Sequence, residues 1–138
     1  MNIEKLKLPK SAIEFLKSEG FVKLYPPQAD SVKSGLLDGK SILVSAPTAS
    51  GKTLIALLAM MSYLSENKGK VIYLSPLRAL AAEKFTEFKK LEKVALGNKI
   101  KVAISTGDFE NIEKNLEKSN VLILTNEKMD SIIRHGAE

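Results

Sequence analysis

The chain has 138 residues, 44% of them hydrophobic and 27% charged, with a formal net charge of +5. That length supports one domain with a real core, and the modest basic balance admits a polyanionic partner without requiring one. With no Cys and a single His, a disulfide framework and a thiolate metal site are excluded. Met1–Lys10 alternates charge with single apolar residues, unlike a signal peptide, and Leu54–Leu64 is far short of the roughly 20 residues that span a bilayer. The expectation is a cytoplasmic protein with no membrane partner.

Pro9–Glu19 has Ile13, Phe15 and Leu16 at near-helical spacing and Gly20 as a stop, which predicts a first helix. Phe21–Gln28 reads as extended, because Pro26-Pro27 forces that conformation and can also start a helix. That next helix is expected over Gln28–Leu37, ending near Asp38-Gly39. Ile42–Val44 is expected to be a buried strand. A loop of small residues closes on Gly51-Lys52-Thr53, and Leu54–Leu64 reads as a helix.

Glu66–Gly69 is a turn, and Val71–Leu74 is a second buried strand ending in Ser75-Pro76-Leu77-Arg78. A helix is expected from Ala79 to about Val94, and a turn at Gly97-Asn98. Ile100–Ser105 reads as a third strand. Thr106-Gly107-Asp108 follows as a loop and N-cap signal, with a short helix over Asn111–Glu117. Val121–Leu124 is a fourth strand, and Thr125-Asn126-Glu127 opens a last helix to about Arg134, with His135 at its end.

Apolar strands alternating with helices predict an α/β fold: a parallel sheet with helices on both faces. Ligands bind such sheets beyond the carboxyl ends of the strands. Here those ends are Ala46–Thr53, Ser75–Arg78, Ser105–Asp108 and Thr125–Lys128, and the distinctive polar segments all fall there. There is no internal repeat and no interdomain linker.

The segment Ala46-Pro47-Thr48-Ala49-Ser50-Gly51-Lys52-Thr53, between strand and helix, has the layout of a phosphate-binding loop. Backbone N–H groups at a helix N-terminus point at an anion, and the helix dipole favours negative charge there. Lys52 would reach the β- and γ-phosphates, and the Thr53 hydroxyl would ligate Mg²⁺. Ala46 stands where this pattern opens on Gly; its small side chain still lets the loop approach a phosphate.

Five segments then occur in order: Tyr25-Pro26-Pro27-Gln28, Ala46–Thr53, Ser75-Pro76-Leu77-Arg78-Ala79-Leu80-Ala81, Ser105-Thr106-Gly107-Asp108 and Thr125-Asn126-Glu127-Lys128-Met129-Asp130-Ser131. Their succession resembles the superfamily-two helicases and, within them, the ski-two-like archaeal DNA helicases, from about Phe21 onward. The resemblance implies a RecA-like P-loop domain, with residues 1–20 as an N-terminal helix and 21–138 as the first part of motor domain one. It implies ATP and Mg²⁺ as cofactors, with Lys52 and Thr53 at the phosphates and Thr53 on the metal.

Gln28 falls on the adenine-reading position, where an amide can donate to N7 and accept from the 6-amino group. Phe21 and Tyr25 either pack on that base or belong to the core. The resemblance makes Pro76, Leu77, Arg78, Thr106, Gly107, Thr125, Glu127 and Lys128 nucleic-acid contacts, of the kind that position a backbone without reading sequence. Asn126 departs from the Ser or Pro usual there. The implied partners are single-stranded or forked DNA and the remaining helicase domains, in genome maintenance and DNA repair.

Helicase hydrolysis also needs an Asp-Glu-x-His after an apolar strand, for Mg²⁺ and the attacking water. The strand Val121–Leu124 is followed instead by Thr125-Asn126-Glu127, and no such motif occurs in the 138 residues. The domain is therefore expected to be incomplete, holding phosphates weakly without cutting them. Three alternatives stand beside this reading. An RNA helicase of the same superfamily is one, since no residue senses a 2′-OH. A noncatalytic nucleic-acid-binding module is another. A P-loop small-molecule kinase is the third, although it would want a Gly-richer loop and an arginine lid, and Arg78 and Arg134 are the only arginines.

Overall fold

A computed structural model of the chain describes residues 1–47, 51–67, 69–97, 99–105 and 118–134. The chain divides into two compact units, Met1–Asn67 with Ala95–Asn98, and Lys68–Val94 with Lys99–Glu138.

The first unit is helical in its described residues. Helix α1, Lys10–Ser18, buries Ala12 and Leu16, four residues apart on one face. It ends as predicted at Gly20, whose φ of +90° suits glycine, while the Phe21 amide donates to the Leu16 carbonyl. Helix α2 is Pro26–Lys33. Its two prolines occupy the first turn, where a missing N–H costs nothing. The expected run to Leu37 is interrupted. Gly35 adopts a left-handed φ of 104°, and the chain tightens into a 3-10 turn over Leu36–Asp38.

Helix α3, Lys52–Glu66, is the apolar centre of this unit, with Leu54, Leu58, Met61 and Leu64 buried. Each such side chain contributes about 1.5–3 kcal/mol on leaving water. The Ser62 hydroxyl donates to the Leu37 carbonyl at 3.0 Å, tying α3 to the 3-10 turn.

The expected strand Ile42–Val44 is not formed. Residues 41–47 carry no ladder, and Leu43 is 97% exposed. A strand needs a neighbour for its N–H and C=O groups, and among the described residues none pairs with this segment. The apolar composition was visible in the sequence; the partner on which pairing depends was not.

The second unit is built on a parallel three-stranded sheet in the order β1–β3–β2, with β1 Val71–Ser75, β2 Val102–Ser105 and β3 Val121–Thr125. The central strand β3 is buried at all five residues, as its unbroken apolar sequence requires. Helix α4, Arg78–Phe88, follows β1, and α5, Asn126–Arg134, follows β3. One face of the sheet carries Tyr73, which meets Phe88 of α4 edge to face at 5.1 Å between ring centres. The opposite face carries Leu122 and Leu124, which pack with Ile132 and Met129 of α5. Helices therefore lie on both faces.

That cover is incomplete at β1, where Ile72 and Leu74 are 43% and 47% exposed. The predicted helix from Ala79 to Val94 is two elements, since α4 gives way to a 3-10 helix at Lys89–Lys93. The third strand starts at Val102 rather than Ile100, because the Asn120 side chain accepts the Lys101 amide ahead of the ladder. The predicted loop Thr106–Asp108, the helix Asn111–Glu117 and His135 lie outside the described residues. Among the described residues, no helix is long and apolar enough to cross a membrane.

Candidate nucleotide and nucleic-acid sites

In the first unit, Gln28 and the start of α3 come together. Gln28 is the third residue of α2 and only 2% exposed. Its Oε1 accepts from the Tyr25 amide at 2.8 Å, and its Nε2 donates to the Gly51 carbonyl at 3.0 Å. Two contacts fix which end of the amide faces which way. One proton on Nε2 and one lone pair on Oε1 are left over.

Gly51 is the residue before α3, with φ 79° and ψ 35°. The φ there favours glycine, and a Cβ would stand 2.2 Å from Gln28 Nε2, so a side chain would also push the Gln28 amide off its bond to Gly51. Lys52 and Thr53 are the first two residues of α3, and Lys52 is exposed. Ala46 and Pro47 precede the loop; the predicted loop residues Thr48, Ala49 and Ser50 lie outside the described residues.

A cavity of about 400 Å³ opens beside Gln28, formed by Glu19–Lys23 with Tyr25 and Gln28. Phe21 and Tyr25 both line it, and Tyr25, at 65% exposed, is not a core residue. Among the described residues, no group of three or more His, Cys, Asp or Glu is placed to hold a metal.

In the second unit, β1 and β3 are paired so that Ser75 lies level with Thr125. The segments that leave these two strands therefore sit side by side at one edge of the sheet. Pro76, Leu77 and Arg78 are exposed, with Arg78 opening α4. The buried Ser75 donates its hydroxyl proton to the Leu77 carbonyl at 3.2 Å, which shapes the turn.

Thr125 is only 6% exposed, and its Oγ1 accepts from the Lys128 amide at 3.2 Å. That is an N-cap role for α5. Glu127 is exposed on the first turn of α5, where the helix dipole suits a carboxylate and where a phosphate would be repelled. Lys128 is half-buried, and Thr106 and Gly107 lie outside the described residues.

One feature had no signal in the sequence. Residues 1–3 pair with residues 22–24, the wall of the cavity, through a bridge between Asn2 and Lys23. Pairing between segments so far apart leaves no local periodicity to read.

Comparison with known proteins gives one consistent result. Along 99% of its length the chain is 46% identical to the ATP-dependent DNA helicase Hel308 of Pyrococcus abyssi (strain GE5 / Orsay). It is 44% identical, again over 99% of its length, to the ATP-dependent DNA helicase Hel308 of Methanocella arvoryzae. The chain spans only 19% and 18% of those two curated relatives. Among solved structures, the DUF1998 helicase MrfA bound to DNA and AMPPNP superposes with a TM-score of 0.80 at 25% identity, covering 94% of this chain and 19% of that one. The family model for DEAD/DEAH box helicases matches residues 25–138. With most of its length matched in this way, the chain belongs to the DEAD/DEAH box helicase family.

Proposed function

We propose that this chain is the N-terminal part of the first RecA-like ATP-binding domain of an ATP-dependent DNA helicase. The observation that carries the reading is the hydrogen bond from Gln28 to Gly51, which joins the residue suited to a base edge to the residue that opens the phosphate helix. ATP would lay its phosphates on the N-terminus of α3, where N–H groups and the helix dipole favour an anion. Lys52 would neutralise the β- and γ-phosphates, and Thr53 would hold Mg²⁺ together with phosphate oxygens. The remaining proton and lone pair of the Gln28 amide match N7 and the 6-amino group of adenine. Phe21 and Tyr25 supply ring faces in the cavity beside it.

DNA would pass along the edge where β1 and β3 end. Arg78, exposed and cationic at the start of α4, would grip a phosphodiester together with the backbone N–H groups that open α4, next to Pro76 and Leu77. The buried Thr125 would act by holding the start of α5, from which Lys128 contributes positive charge. Relatives named as DNA helicases, 44–46% identical along this chain, favour DNA over RNA; single-stranded or forked DNA is the form we propose. Hydrolysis needs carboxylates that the 138 residues do not supply after any apolar strand. The chain by itself therefore binds and does not cut.

The test has two arms. The parent protein should show DNA-stimulated ATP hydrolysis and unwinding, both lost in Lys52→Ala. The chain of Met1–Glu138 should bind ATP at most weakly and without turnover. Hydrolysis by this chain above background, removed by Lys52→Ala, would sink the second claim; hydrolysis by the parent protein stimulated by RNA and not by DNA would sink the first.

A further inference from the structure

The wall of the candidate base cavity, Phe21–Tyr25, belongs to no helix or sheet. Two backbone hydrogen bonds from the N-terminus hold it. The Ile3 amide donates to the Val22 carbonyl at 3.1 Å, and the Leu24 amide donates to the Met1 carbonyl at 2.9 Å. They form an antiparallel bridge at Asn2 and Lys23. The bridge is anchored beneath, because Ile3 and Leu24 are both buried. It is anchored along the chain as well. Asn2 Oδ1 accepts the Glu4 amide at 3.0 Å, which turns residues Ile3–Lys5 into a 3-10 helix, and Glu4 pairs with Lys17 of α1. A second cavity, of about 300 Å³, lies between this turn and the wall, lined by Asn2, Ile3, Glu4, Lys17, Phe21 and Val22. Phe21 and Val22 thus have open space on both sides. Space on both sides leaves the Phe21 and Val22 side chains weakly packed. The two ends of the wall are held elsewhere, by the Phe21 amide on the Leu16 carbonyl and the Tyr25 amide on Gln28 Oε1, so the two hydrogen bonds to residues 1–3 set the position of its middle, Val22–Leu24.

We propose that the N-terminal residues Met1–Glu4 position the base site, with Ile3 as the positioning residue whose amide holds the cavity wall at the separation from Gln28 that fits a purine. This rests on the adenine reading of Gln28. None of these four residues touches nucleotide in this scheme; they act through Phe21–Tyr25.

The test uses this chain and compares the affinity of ADP with that of inorganic pyrophosphate by calorimetry. Ile3→Pro removes the donor to Val22. The local dihedrals accept it, since Asn2 at φ −78°, ψ 139° is already in the conformation that precedes proline and Ile3 is the first residue of its helix, while the ring carbon that replaces the amide proton also pushes the Val22 carbonyl away. Ile3→Ala loses more side-chain bulk than Ile3→Pro and keeps the donor, so weaker ADP binding in Ile3→Pro than in Ile3→Ala cannot come from lost packing. Loss of one such hydrogen bond is expected to weaken ADP about fivefold in Ile3→Pro relative to Ile3→Ala, with pyrophosphate unchanged. Equal ADP affinity in the two variants, or a parallel fall for pyrophosphate, overturns the proposal.

If Ile3→Pro does not fold, Asn2→Ala decides. Its side chain is exposed and only caps the turn. It should weaken ADP about twofold to threefold and leave pyrophosphate alone, and no change in ADP overturns the proposal. The adenine reading is checked separately. If wild-type chain binds ADP no more tightly than pyrophosphate, and Gln28→Ala changes neither, that reading fails and the positioning role falls with it.

Discussion

The side-chain amide of Gln28 donates to the carbonyl of Gly51 across 23 positions of sequence, at 3.0 Å. It joins the first turn of α2 to the residue before α3, so each fixes the other. A methyl group on Gly51 would collide with the donor and would also force a residue with a Cβ into left-handed backbone. Gly51→Ala is therefore expected to destabilise the first unit by about 1–3 kcal/mol and to weaken ADP binding. Thermal unfolding with and without ADP measures both. Unchanged stability would mean the glycine is not needed there.

Lys52 gives the opposite pattern. It is exposed at the head of α3, so Lys52→Ala should leave the melting temperature within a degree or so of wild type while removing most phosphate affinity. Pyrophosphate titration is the readout, and retained binding would refute the assignment.

Phe88 has almost no exposed surface and meets Tyr73 edge to face. Phe88→Ala should cost about 3–5 kcal/mol in the second unit. Chemical denaturation followed by tyrosine fluorescence, in a chain with no Trp and with Tyr73 one of three tyrosines, reports on this packing when compared with Tyr73→Phe.

Much of the architecture was legible in the sequence, and the reasons are local. The near-helical spacing of Ile13, Phe15 and Leu16, the apolar run of α3 and the unbroken apolar strand β3 are each local signals. The failures are non-local. Ile42–Val44 has the composition of a strand, yet strand formation depends on a neighbour. The end of α2 depended on Gly35 taking a left-handed φ, where Asp38-Gly39 looked the stronger stop. At the candidate sites, Gln28 and Lys52 could be singled out from motif order. The bond between Gln28 and Gly51, and the pairing of residues 1–3 with 22–24, join segments that no sequence window contains.

Thr125 caps α5, and its exposure is too small for it to be chiefly a surface contact. Thr125→Ala should destabilise the second unit by about 1 kcal/mol, whereas Thr125→Ser should be nearly neutral. DNA affinity in the parent protein should follow the same order. A large loss of DNA binding in Thr125→Ala with no loss of stability would instead assign the hydroxyl to the nucleic acid.

Glu92 supplies a pH dependence. Its carboxylate accepts from the Val102 amide at 3.0 Å and lies 3.1 Å from Lys89. The hydrogen bond from Val102 holds its pKa below the ordinary value of 4.5; burial opposes this, and Lys89 and Lys101 add smaller effects in the lowering direction. A carboxyl whose pKa is lower in the folded state stabilises the fold above its unfolded pKa. That stabilisation disappears as pH falls through the folded value. Wild-type stability should therefore decline below about pH 5, and Glu92→Gln should flatten that part of the curve. Identical acid limbs in the two proteins would exclude Glu92 as a source.

The half-open face of β1 has a consequence for handling the protein. Val71-Ile72-Tyr73-Leu74-Ser75 holds no charge and no proline, and among the described residues only one of its edges is paired. Short segments of that composition adhere to copies of themselves. Preparations of the chain should lose monomer as concentration rises, faster in sulfate than in chloride because sulfate strengthens apolar association. A charge at Leu74 would act as a gatekeeper and lengthen the shelf life of the stock.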